Sequence, residues 1–77
     1  MKIQIISEVI KGEEIPINER GFEEIEIDPL NDVNAFSFNK KYRYIGIEKR
    51  LFRLSLKSYK QLKKHLQKTN SAFVRTV

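Results

Sequence analysis

Along residues 2–10 the apolar positions crowd both parities. Ile3, Ile5 and Val9 fall on one face of an extended chain, and Ile6 and Ile10 on the other. The pattern predicts a strand with both faces partly covered. Lys11-Gly12 reads as a turn. Ile15 and Ile17 alternate around Pro16, which has no N–H for a ladder, so this segment is an edge strand or an extended arm. Glu19-Arg20-Gly21 marks another turn. Residues 22–27 predict a strand with Ile25 and Ile27 toward the core, and with Glu24, Glu26 and Asp28 toward solvent or a partner. Asp28-Pro29 and Asn31-Asp32 end it.

In residues 35–47, Phe36 and Phe38 share one face of a strand, and Tyr42 and Tyr44 share one face of the next. A three-residue loop, Asn39-Lys40-Lys41, sets Phe38 opposite Tyr42 and Phe36 opposite Tyr44. A two-residue loop would oppose these rings to cations, and aromatic pairs favour the longer loop. The parity of the large residues shifts at Ile45-Gly46-Ile47, which marks Gly46 as a bulge or bend. Residues 51–54 form a further short strand. One helix follows, with Ser55 as N-cap and Ser58/Gln61 as an alternative capping pair one turn on. Its apolar stripe is Tyr59, Leu62 and Leu66, at i, i+3 and i+7. It runs to about Lys68, where Thr69-Asn70-Ser71 breaks it, and residues 72–77 are a last strand or a docked tail. The predicted class is α+β: a small antiparallel sheet of four to six short strands with one C-terminal amphipathic helix packed on one face.

The chain of 77 residues is one domain with a thin core and no room for a deep pocket. No apolar run approaches the ~20 residues that span a bilayer, and no signal-peptide core follows Met1-Lys2. The expected location is the cytoplasm. With no cysteine there are no disulfides or thiolates, and with one histidine a zinc site of the usual type is excluded. Ile, Lys and Asn are heavily used, and Lys outnumbers Arg ten to five, a low-GC composition compatible with a phage- or plasmid-borne chain.

The net charge of +5 conceals a division. Residues 1–34 hold three cations against nine anions, whereas residues 35–77 hold twelve cations and one anion, Glu48. The C-terminal half therefore points to a polyanion as partner. Its sharpest feature is a helix stripe of Lys57, Lys60, Lys64 and Lys68, flanked by Lys63, about 16 Å long. The predicted helix contains no acidic residue, and Lys60, Lys64 and Lys68 repel one another at i,i+4 by a few tenths of a kcal/mol per pair. A polyanion, or acidic strands folded against this face, would offset that repulsion. The second feature is Lys40, Lys41, Tyr42, Arg43 and Tyr44. Interleaved rings and cations suit a single-stranded nucleic acid, whose bases stack while its phosphates meet the cations. The alternative is that Tyr42 and Tyr44 are core or half-core residues together with Phe36 and Phe38, which leaves Lys40, Lys41 and Arg43 exposed. The third is the acidic group containing Glu13, Glu14, Glu24 and Glu26, which reads as a solvated face or as a surface for a basic protein. His65 sits at the edge of the apolar stripe. No nucleophile–base set, phosphate-binding glycine loop or metal motif is present, so no catalytic, cofactor or metal residue is assigned.

The run Phe52-Arg53-Leu54-Ser55-Leu56, then Tyr59, then Leu62-Lys63, resembles the strand-to-helix junction of single-stranded-DNA-binding proteins of the transcriptional positive-cofactor-four type. In that family a curved antiparallel sheet feeds a C-terminal helix that dimerises, so the resemblance implies single-stranded DNA as ligand and a homodimer. It covers about a quarter of the chain, and no site residue is carried over from it. The expected function is a small non-enzymatic module binding single-stranded DNA or RNA. Contact would run through Lys40, Lys41, Tyr42, Arg43, Tyr44, Lys57, Lys60, Lys64 and Lys68. The alternative is a protein-binding module, such as a phage-type inhibitor or complex subunit. It would meet a host protein through Glu13, Glu14, Glu24 and Glu26 or through the Lys-rich helix. Attachment of the basic helix to an anionic membrane ranks last, because the core needs its apolar stripe.

Overall fold

The computed structural model describes residues 1–69 and 75–76. Six antiparallel strands form the sheet: β1 (Lys2–Ile10), β2 (Glu13–Pro16), β3 (Glu23–Glu26), β4 (Val33–Phe36), β5 (Tyr44–Ile47) and β6 (Arg50–Leu54). The helix α1 (Leu56–Thr69) packs on one face, and the short β7 (Arg75–Thr76) adds in parallel to β4. The spatial order is β2-β1-β6-β5-β4-β7, with β3 also beside β1. The α+β class is thus as the sequence predicts. Residues 70–74 and 77, part of the expected last strand or tail, lie outside the described residues.

The first hairpin closes through Lys11 and Gly12, both at positive φ (52° and 81°), as a two-residue type I′ turn requires. Glycine accepts that geometry without strain, and Lys11 tolerates it next door. On the way back, β2 and β3 behave as one interrupted strand. β2 pairs with residues 7–10 of β1 and β3 with residues 2–5, and the two registers differ by the five residues 18–22. Ile17 N–H still donates to the Ile6 carbonyl (3.1 Å), immediately beside the Ile5–Glu23 pair. Ile25 is half-buried and Ile27 buried, while Glu24, Glu26 and Asp28 are exposed, as the alternation predicts.

Two bulges change which residues share a face. In β1 the register against β6 slips between Ile5 and Ser7, leaving Ile6 as the extra residue. Ile3 and Ile5 therefore share a face with Glu8 and Ile10, and Val9 turns with Ser7 to the other side; the unbroken alternation read from the sequence is corrected here. In β4 the slip lies between Val33 and Ala35. Gly46 itself is regularly paired, opposite Ala35, so the bulge expected at Gly46 falls on its partner strand. The partner strand lies close here: a Cβ at Gly46 would stand 2.5 Å from Asn34 Oδ1 and 3.0 Å from the Ala35 Cβ, so a larger residue would displace at least the Asn34 side chain.

The β4–β5 connection is also longer than predicted. Phe36 pairs with Ile45, not Tyr44, and Phe38 lies beyond the strand. The loop is held by Asn39, whose carbonyl accepts from Tyr42 and Arg43 N–H (3.0 and 2.9 Å) and whose Oδ1 accepts from Lys41 N–H (2.9 Å). Side-chain capping of the turn outweighs the small gain from cross-strand aromatic pairs.

Ile3, Ile5, Phe36, Ile45, Phe52 and Leu54 line one sheet face, and Tyr59, Leu62 and Leu66 of α1 close the core over part of it. Ser55 caps the helix: its Oγ accepts from Ser58 N–H (3.3 Å) and its carbonyl from Tyr59 N–H (2.9 Å). Ser58 is used differently. Its Oγ accepts from Gln4 N–H (2.7 Å) while Ser55 N–H donates to the Gln4 carbonyl (3.0 Å), tying the helix start to β1 where β6 has ended. Ser58 is 2% exposed, so Ser58→Ala strands a β1 N–H away from water. The expected loss is about 1–3 kcal/mol. It should show as a lower urea midpoint at unchanged slope; an unmoved midpoint would mean that this bond does not hold the helix.

Candidate nucleic-acid interface

The lysines of α1 divide around its axis. Placed at ~100° per residue from Tyr59, Lys63, Gln67, Lys60 and Lys64 occupy one flank between about 40° and 140°. The β4–β5 loop brings Lys40 to this same flank. Lys40, Tyr59, Lys60, Lys63, Lys64 and Gln67 line one groove of about 350 Å³. Lys63 is half-buried, with its ammonium 5.8 Å from the centre of the Tyr59 ring. Among the described residues, no carboxylate stands within ion-pair distance of Lys40, Lys60, Lys63 or Lys64. The acidic half pairs elsewhere: Glu8 with Arg50, Glu14 with Arg53, Glu24 with Lys2 and Glu26 with the N-terminus.

The remaining expected contacts are distributed differently. Lys57 points away from the groove, sharing a shallow polar depression with Lys2, Gln4, Glu24, Ser58 and Gln61. The side chain of Lys68 lies outside the described residues. Arg43 is committed to the fold. It sits at φ 54°, its Nε donates to the Leu54 carbonyl (2.9 Å) and an Nη to the Lys40 carbonyl (3.0 Å). It shapes the loop that carries Lys40 rather than offering a free cation.

Tyr42 and Tyr44 lie on the sheet face opposite α1. Tyr44 pairs with Arg53 while its neighbour Ile45 pairs with Phe52 in the core, so Tyr44 points the other way. Tyr42 stacks on it at 5.9 Å and 16°, remains 45% exposed, and has the Lys41 ammonium 5.8 Å from its ring centre. Arg53 underpins this corner: one Nη donates to the Lys41 carbonyl (2.9 Å) and the other to Glu14 (3.2 Å to Oε1). The aromatics are therefore neither core nor paired with Phe36 and Phe38. Phe38 instead packs edge-on against Phe36 on the helix side, 4.9 Å between ring centres.

The acidic candidates lie along the β2–β3 edge. Glu14 also accepts from Ser7 Oγ (2.9 Å), and Glu14, Glu24 and Glu26 all have internal partners; Glu13 is exposed at the first hairpin. A second depression of about 280 Å³, not foreseen from the sequence, lies on the helix side of the sheet. Ile5, Ile17, Ile25, Ile47 and Phe52 line it together with Glu23, Glu48 and Arg50. Arg50 donates two bonds to Glu8 (3.0 and 2.8 Å). These hold the Glu8 carboxyl below its ordinary range and raise the Arg50 guanidinium, with burial opposing both. Among the described residues, no helix is long and apolar enough to cross a membrane.

No protein-family model, curated protein or solved structure matches this chain. The local resemblance to the positive-cofactor-four type gains no support from these comparisons. The apolar stripe of α1, Tyr59, Leu62 and Leu66, is buried against the chain's own sheet.

Proposed function

We propose that this protein is a non-enzymatic, sequence-tolerant binding module for single-stranded nucleic acid. The observation that carries this reading is the groove lined by Lys40 from a loop and Lys60, Lys63 and Lys64 from the helix, none with a carboxylate partner among the described residues. Four ammonium groups held together are mutually repulsive, and a phosphate backbone offsets that repulsion while releasing its own counterions. The exposed Tyr42 on its Tyr44 support, beside Lys41, offers a stacking surface for bases. Groove and stacking surface lie on opposite faces of the sheet, joined across the β4–β5 loop. A single strand is flexible enough to turn around that loop. A duplex, stiff over about 50 nm, reaches only one of the two surfaces.

Titration of single- and double-stranded oligonucleotides at several salt concentrations tests the reading. Four phosphate contacts predict a slope of log affinity on log salt near −2.8 for single strands, from ~0.7 per contact. Single strands should bind more tightly than duplexes, and changes of sequence should matter little. Absence of binding at low salt would overturn the proposal, and tighter duplex binding would remove the role given to Tyr42.

A further inference from the structure

Tyr59 forms part of the groove wall, and its position is over-determined. It is 2% exposed, and its ring stacks on Phe36 at 5.6 Å and 6°. Among the described residues its hydroxyl has no hydrogen-bond partner. A buried donor without an acceptor is disfavoured, and phenylalanine would fill the same space without that penalty. The core therefore does not account for the oxygen at this position. In the groove beside it three lysines of the helix and one of a loop converge. These cations supply charge and donors but no acceptor for the phenol. An anion would provide that acceptor.

We infer that this groove seats one phosphate group of the strand, in which Tyr59 Oη–H donates to a phosphate oxygen and Lys63 balances its charge, while Lys40, Lys60 and Lys64 meet the adjacent phosphates. The inference rests on the nucleic-acid reading for the origin of the phosphate, and adds a defined seat to what would otherwise be diffuse attraction. Each lysine has a flexible four-carbon stem and three donors on its ammonium, which suits a phosphate approached from several sides. Lys63 already lies over the ring. The hydroxyl is buried in the free protein, so seating the phosphate requires Lys63 to move off the ring. A groove of about 350 Å³ also leaves space for the sugar attached to the phosphate. The phosphate is either an internal diester of the strand or a terminal monoester; both present the same oxygens to the tyrosine.

The test uses the full chain and inorganic phosphate as probe, with sodium chloride holding ionic strength constant, followed by NMR shifts of α1. The wild-type protein should saturate with phosphate. Tyr59→Phe should bind it at least tenfold more weakly while melting no lower than wild type, which separates lost binding from lost folding. Competition by 5′-phosphorylated and 5′-hydroxyl oligonucleotides then identifies the source: displacement by the phosphorylated strand alone assigns a terminal group, and equal displacement assigns the backbone. Shifts that grow without saturating, or equal affinity in Tyr59→Phe, would overturn the inference. Single-strand binding with the expected salt slope would leave the nucleic-acid reading standing in that case. Conversely, saturable phosphate binding without any oligonucleotide binding would uphold the receptor and reject the nucleic-acid reading.

Discussion

Phe36→Ala is expected to be the most damaging single substitution in the sheet, lowering stability by about 3–5 kcal/mol. A chain of this length has roughly 4–12 kcal/mol in total, at ~0.05–0.15 per residue, so the variant should be close to unfolding. Phe36 is fully buried and touches the molecule in two directions. It stacks against Tyr59 of the helix and meets Phe38 edge-on at the start of the loop that carries Lys40. Removing the ring leaves a cavity that the regularly paired β4 and β5 backbones cannot collapse to fill. It also withdraws the surface against which Tyr59 is held, so the lysine groove should lose its shape as well. Urea denaturation followed by far-UV circular dichroism measures the first effect. A loss below about 2 kcal/mol would show that the core can repack without this ring.

Reversal of charge at Lys60 and Lys64 is expected to produce the largest functional effect with little change in folding. Both side chains are exposed, and neither belongs to the Tyr59, Leu62, Leu66 stripe. Lys60→Glu with Lys64→Glu exchanges one like-charge pair for another and creates opposite-charge neighbours at i,i+3 with Lys57 and Lys63. Stability should stay within about 0.5 kcal/mol. Binding should not. Loss of two phosphate contacts lowers single-strand affinity about 25-fold at 0.1 M salt through counterion release alone, and repulsion by the new carboxylates adds to this. The salt slope should flatten by about 1.4, equally for all sequences. The same substitutions at Lys57 and Lys49, which lie outside the groove, should weaken binding far less; an equal loss there would mean that net charge, not the groove, drives association.

The helix and the strand types were legible because their periodicities are local. Tyr59, Leu62 and Leu66 define a buried stripe on any helix that carries them, and Ser55 caps it wherever the helix lies. The two bulges were not legible, because an extra residue is defined only against a partner strand. Ile6 looks like any other β-branched residue until β6 is beside it. The aromatic hairpin misleads for a related reason: pairing preferences of Phe and Tyr carry no trace of the hydrogen bonds that Asn39 makes within its own loop. For the candidate site, the sequence names Lys40, Lys60 and Lys64, and the structure places them around one groove. Angular spacing alone centres the helical stripe on Lys57 and Lys64 and puts Lys63 at its margin. Only the approach of the β4–β5 loop shows which flank matters, and it favours Lys63 over Lys57. The unpartnered oxygen of Tyr59 has no signature in sequence, since a tyrosine in an apolar stripe reads as core.

The interruption between β2 and β3 has a consequence for how molecules of this protein meet one another. The outer side of this strand pair is an edge of the sheet, and a long straight edge is a template for another chain. Here the edge is divided into two stretches of four residues by the turn at 18–22, which Asn18 pins through its Nδ2 bond to the Phe22 carbonyl (2.9 Å) and its Oδ1 bond from Arg20 N–H (3.0 Å). A strand approaching this edge meets a protrusion halfway along, Pro16 without an N–H just before it, and glutamates at 13, 14, 23, 24 and 26 repelling a second copy. Excising residues 18–22 would bring the two registers into phase and create an unbroken hairpin opposite residues 2–10. The straighter edge should make a concentrated solution of this chain more prone to self-association.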